Sequence, residues 1–186
     1  MAVITISRQM GSLGSEVARA VAGQLGYRLL WRELINQAAI RCGSPEMALV
    51  VIDELNLMKI PAGRQDFERY LTAVSTVVHE AAEEGNVVIV GRAGQVLLHG
   101  FTGALHVRAV APFQLRVERV ARYRGISMDA ARELVATSDR NRKEYLERWH
   151  QVDWADPELY DLVLNTGRME VDSCARIICY ALACQE

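Results

Sequence analysis

Val3-Ile4-Thr5-Ile6-Ser7, a strand-like segment, runs directly into Arg8-Gln9-Met10-Gly11-Ser12-Leu13-Gly14-Ser15, and an amphipathic helix from Glu16 to Leu25 follows at once. This order constrains the chain more than any other feature. A strand that opens through a glycine-containing loop onto a helix start presents backbone N–H groups and the positive end of a helix to an anion. The phosphate-loop pattern G-x-x-x-x-G-K-[ST] falls on Arg8 to Ser15. In that register its second Gly is Leu13, its Lys is Gly14 and its hydroxyl residue is Ser15. The candidate phosphate-binding residues are therefore Arg8, Gly11, Ser12, Leu13, Gly14 and Ser15, and Ser15 could also reach a Mg²⁺. A plain tight turn between strand and helix is the competing reading.

Downstream, strand and helix signals alternate. Tyr27 to Leu30 reads as a short strand, and helices are expected around Arg32 to Arg41, from Ser44-Pro45 through Leu55, and over Arg64 to Glu84. Val87-Val88-Ile89-Val90 is a continuous apolar run, as in a strand buried on both faces of a parallel sheet. Gly91-Arg92 stands at its end. Ala104 to Val110 and Tyr160 to Asn165 are further strands. Between them lie an Arg-bearing helix and a long polar helix, Met128 to about Trp149, and a terminal helix spans Val171 to Ala183. The pattern predicts a single three-layer α/β domain over residues 1–186, with a parallel sheet of about five strands and helices on both faces. Residues 32–84 are expected as a helical cap at the sheet's C-terminal edge, where ligands bind in such folds.

Composition excludes several classes. A net charge of −2 over 186 residues argues against a nucleic-acid polymer or an anionic membrane as partner. No apolar run reaches the roughly 20 residues that span a bilayer, and the cytoplasm is the expected compartment. Cys174, Cys179 and Cys184 step about 140° apart around the terminal helix, so they do not share a face as metal ligands and are expected as buried free thiols. Of the 21 basic residues, Lys59 and Lys143 are lysines and the other 19 are arginines. A replacement for the missing loop lysine must come from those two or from arginine, which grips phosphate bidentately.

Four segments resemble the cytidylate kinase-like family, a branch of the P-loop nucleoside monophosphate kinases, in order and spacing. They are Ile4 to Gly14, Val88-Ile89-Val90-Gly91-Arg92, Ser138-Asp139-Arg140-Asn141-Arg142, and the stretch from Trp154 to Thr166. The resemblance implies phosphoryl transfer from ATP, with Mg²⁺, to CMP, dCMP or a related phosphorylated acceptor, so that the partners are nucleotide small molecules. It also implies a helical acceptor-side region over 32–84 and arginine-rich helices, including a lid, over 113–149. Arg92, with Gly91, matches the arginine that holds the acceptor phosphate, and Asp139 and Arg142 match the lid's D-x-x-R. The departures are Gly14 at the lysine, Val90 and Ala93 where acids stand beside Gly91-Arg92, and Trp31 at an aspartate before the acceptor helix.

On chemical grounds the lid helix is expected to replace the lysine's charge, through Arg140, Arg142 and Lys143 with help from Arg8; Asp139 completes the candidate catalytic set. Each has a plainer alternative as a solvated or salt-bridged helix residue. Trp149 and Trp154 are expected to pin a loop to the core rather than stack on a base. Two functions follow: a nucleoside monophosphate kinase-like phosphotransferase, or a catalytically weak nucleotide- or phosphate-binding module with a regulatory role.

Overall fold

The computed structural model describes residues 2–41, 43 and 65–185. Five parallel strands, β1 (Val3–Arg8), β2 (Arg28–Leu30), β3 (Val87–Val90), β4 (Ala104–Val110) and β5 (Leu162–Asn165), form one sheet in the order β2-β3-β1-β4-β5. The helices are α1 (Gly14–Leu25), α2 (Arg32–Arg41), α3 (Gln65–Glu84), the single turn α4 (Gly94–Leu97), α5 (Phe113–Arg124), α6 (Met128–His150) and α7 (Val171–Ala183). The helix expected from Ser44 to Leu55, the connector after it and Lys59 lie outside the described residues.

Burial explains the strand order. Every residue of β1 and β3 is buried, as inner strands of a sheet covered on both faces must be. β2 and β5 carry the exposed Arg28 and Val163 and take the edges. Alternation along the strands then divides the core. Ile4, Ile6, Val88, Val90, Leu105 and Val107 meet Val17, Val21 and Ile178 of α1 and α7. Val3, Val87 and Ile89 meet Leu34, Phe67, Tyr70, Val74 and Val78 of α2 and α3. The chain adds β2 and β3 on one side of β1, and β4 and β5 on the other. That reversal opens a crevice beyond the C-terminal end of β1.

α5 and α6 form a tight hairpin. Gly125, at φ 64°, ends α5, and the Ser127 hydroxyl caps α6 by accepting from the Ala130 N–H. Val117, Val120 and Ala121 pack on Ala131 and Val135. At its far end α6 is fastened to α3, where Trp149 meets Phe67 edge-on at 4.8 Å between centroids. The segment expected as a lid is thus an uninterrupted helix anchored at both ends.

Two details correct the sequence reading. β5 begins at Leu162 rather than Tyr160: the Asp161 N–H still donates to the His106 carbonyl at 2.8 Å, but the His106 N–H goes at 2.6 Å to the Asp161 carboxylate instead of to a strand carbonyl. Of the terminal cysteines, Cys174 alone is fully buried, while Cys179 is half-buried and Cys184 exposed at the helix end. Their five-residue spacing carries each one farther around the helix than the last.

Candidate active site

The loop between β1 and α1 is held from behind through its carbonyls. The Gln9 carbonyl accepts from the Ser12 N–H at 3.2 Å and the Ser12 hydroxyl at 2.9 Å. The Met10 carbonyl accepts from Arg116 at 3.2 Å, the Gly11 carbonyl from Arg119 at 3.3 Å, and the Ser12 carbonyl from the buried Thr166 hydroxyl at 2.7 Å. Positive φ at Gly11 (78°) and Leu13 (57°) alternates the backbone hand, the geometry in which successive N–H groups converge into an anion nest. Leu13 holds this conformation where the phosphate-loop pattern has glycine. Among the described residues no backbone acceptor takes the N–H groups of Gly11, Leu13, Gly14 or Ser15.

A cleft opens beside this loop at the C-terminal ends of β1 and β3. Ser7 and Arg8 come from β1, Gly91 and Arg92 from the turn after β3, Gln95 from α4, Asn141, Arg142 and Tyr145 from α6, and Trp154 from the following loop. Among these lining residues are three guanidinium side chains and no carboxylate. Arg92 sits in a local strain. Gly91, Arg92 and Ala93 have φ of 75°, 55° and 54°, and left-handed backbone at two successive non-glycine residues costs on the order of 1–3 kcal/mol each. That cost buries Arg92 at the cleft wall, beside Tyr145. Burial raises the Tyr145 phenol's pKa well above its ordinary value, against the opposing influence of the Arg92 charge.

The sequence candidates separate on α6. Arg142 lines the cleft and donates to the Ser138 hydroxyl one turn earlier. Arg140 and Lys143 are exposed, the first donating to Thr137 and the second pairing with Glu147 at 3.5 Å. Asp139 turns toward α5 and accepts from both terminal nitrogens of Arg116, at 3.1 and 2.8 Å. The four residues expected to act together therefore face three directions, and Arg142 is the one placed in the cleft. Arg119 of α5 bridges the Gly11 carbonyl to Thr166.

Trp154 is buried and pins its loop, as expected. Its indole N–H donates to the Ser7 hydroxyl at 2.9 Å, and its carbonyl accepts from Arg108 at 2.7 Å and from the Tyr160 hydroxyl at 2.9 Å. The Arg108 guanidinium lies between the two rings, 4.7 Å from Trp154 and 5.4 Å from Tyr160. Ser7, Gln95, Tyr145 and Thr166 were not singled out from the sequence. For Thr166 the signal was available, since it closes the Trp154 segment, but its partner Ser12 lies 154 residues away.

A five-stranded parallel sheet in this order, with a carbonyl-anchored phosphate loop at its switch point, defines a P-loop kinase fold. Solved structures agree. An uncharacterised protein from Eubacterium ventriosum superposes with a TM-score of 0.78 over 99% of both chains at 21% identity. Shikimate kinase from Bacteroides thetaiotaomicron superposes at 0.59 over 98% of both chains at 14% identity. Residues 3–168 match the model of the cytidylate kinase-like family, and the chain belongs to that family. The cytidylate kinase of Thermococcus sibiricus is 34% identical over 179 residues, covering 95% of this chain and 85% of that protein. A 99-residue stretch, 53% of this chain, is also 37% identical to part of a uronate isomerase from Corynebacterium glutamicum; it spans 19% of that protein's length.

Proposed function

We propose that the protein is a nucleoside monophosphate kinase-type phosphotransferase, moving the terminal phosphoryl group of ATP to CMP, dCMP or a related phosphorylated acceptor. One observation carries this reading: the cleft is lined by Arg8, Arg92 and Arg142 with no carboxylate among its described lining residues. A hydroxyl acceptor needs a base to take its proton. A phosphate acceptor already carries an anionic oxygen and needs cations to bring it toward another anion, which this wall supplies.

In the mechanism that follows, the N–H groups of Gly11, Leu13, Gly14 and Ser15 cradle the donor phosphates while the Met10, Gly11 and Ser12 carbonyls stay fixed by Arg116, Arg119 and Thr166. Arg92 holds the acceptor phosphate on the far wall. Arg142, reaching the same cleft from α6, neutralises charge on the transferred group. The Ser7 hydroxyl accepts from the Trp154 indole at 2.9 Å, and its own proton can then be donated to a phosphate oxygen.

Mg²⁺ fits this site as an ion borne by the nucleotide. Among the described residues no cluster of three acid, His or Cys side chains could hold a metal, and Ser15 at the helix start offers one hydroxyl. Mg²⁺ commonly keeps most of its shell as phosphate oxygens and water, and would supply charge neutralisation there.

The second reading is a nucleotide-binding regulatory module, favoured by glycine at position 14. A coupled ADP-release assay against the common ribo- and deoxyribonucleoside monophosphates decides between them. Turnover with a pyrimidine monophosphate supports the kinase. ATP binding without ADP release from any acceptor supports the module.

A further inference from the structure

Position 14 has a neighbour that explains its glycine. An ideal Cβ on Gly14 falls 2.5 Å from the Cβ of Arg8 and 2.9 Å from the Cβ of Ala109, well inside van der Waals contact. Arg8 ends β1 opposite Ala109 in the parallel ladder, and both project toward the start of α1. The phosphate-loop pattern places glycine at position 8 and the cation at position 14; this chain has the cation at 8 and glycine at 14. One volume holds one side-chain root, and the exchange keeps both the volume and the charge.

From this reciprocity we infer that Arg8 is the donor-phosphate cation of this protein, entering from the strand end instead of the first helical turn. Arg8 is 8% exposed yet lines the cleft, so its guanidinium is desolvated beside the loop rather than spread into solvent. Its guanidinium carbon lies 5.8 Å from the Trp31 ring, which Arg19 approaches from 5.6 Å. Trp31 stands at the end of β2 where the family resemblance puts an aspartate. A carboxylate there would draw the Arg8 charge toward itself, whereas an aromatic ring orients the guanidinium through its face. Arg8, Gly14 and Trp31 are three departures that make sense together.

The inference rests on the phosphotransferase reading only in naming ATP as the ligand, and inorganic tripolyphosphate probes it independently. Binding of tripolyphosphate and of ATP is measured by calorimetry on the full chain, with thermal unfolding as a control. Arg8→Gln is expected to weaken both ligands at least tenfold while the unfolding midpoint holds. Gly14→Lys alone is expected to weaken both as well, because its Cβ collides with Arg8. The double variant Arg8→Gly with Gly14→Lys is expected to bind within about threefold of the natural protein, since the charge returns by the other route. Natural-affinity binding by Arg8→Gln overturns the inference. A double variant that binds no better than Arg8→Gly alone, or a natural protein that binds no tripolyphosphate, overturns it too. Tripolyphosphate binding that follows the expected pattern without ADP release from any acceptor upholds Arg8 and removes the kinase reading.

Discussion

Arg116 joins its two terminal nitrogens to the two carboxylate oxygens of Asp139, at 3.1 and 2.8 Å, across the α5–α6 hairpin. The same guanidinium donates to the carbonyls of Ala111 and Met10. One side chain thus ties the long helix to the phosphate loop. The Arg116 side chain is 4% exposed and that of Asp139 24%, so this is an ion pair screened from water on one side.

Replacing Asp139 with Asn should therefore reduce stability more directly than chemistry. It removes a charged partner from a buried guanidinium, a loss of about 1.5–3 kcal/mol, to be read as a lower urea midpoint. Unchanged stability with a large fall in kcat would return Asp139 to the catalytic set.

Gly11→Ala should damage fold and site together. The added Cβ would lie 2.6 Å from the Arg116 carbonyl oxygen, and the backbone there has φ 78°. Strain of about 1–3 kcal/mol is expected, together with weakened tripolyphosphate binding. A variant with the natural unfolding midpoint and natural affinity would show that the loop tolerates a side chain.

Arg92→Ala should weaken CMP binding by about 1.5–3 kcal/mol, the scale of a charge-assisted hydrogen bond, and leave ATP binding nearly unchanged. Lysine should restore little, because it lacks the planar fork. Calorimetry with each ligand separately makes the comparison, and equal losses for both would assign Arg92 to a shared role.

Stability should fall as the pH drops below about 6.5, the ordinary histidine value. Burial lowers the pKa of His106 and of His150 below the ordinary 6.5, with Asp161 partly opposing the shift at His106. Below 6.5 the unfolded chain binds more protons than the folded one. The stabilisation is complete above that pH and is lost as pH falls toward the depressed folded values. Each histidine contributes at most about 1.4 kcal/mol per pH unit. Urea unfolding at pH 7.5, 6.5 and 5.5 checks the slope, and His150→Gln should make it shallower. A flat profile would contradict the prediction.

The sheet was legible where burial alone decides the pattern. β3, β4 and α7 keep the bounds read from the sequence, β3 as an unbroken apolar run and β4 and α7 because their apolar positions still frame the buried His106 and Arg108 and the exposed Arg176. α4 was not, since a four-residue turn is too short to show a period. In the site, Arg92 could be found from its place after a buried strand. Arg142 could not be separated from Arg140 and Lys143, because which face of α6 meets the cleft depends on how Tyr145, Leu146 and Trp149 dock. The Arg116–Asp139 fork and the Thr166–Ser12 bond join segments with no shared local signal, and only the folded chain brings them together.

The carbonyl clamp behind the phosphate loop also has a consequence in time. Its donors lie 106, 108 and 154 residues beyond the carbonyls they hold. The loop leaves the ribosome well before its final brace, Thr166, which lies 154 residues farther along the chain than Ser12. A nascent chain carries the loop's letters long before it carries the loop's shape, and the braced loop is complete only once synthesis has passed β5 and the far half of the sheet has closed.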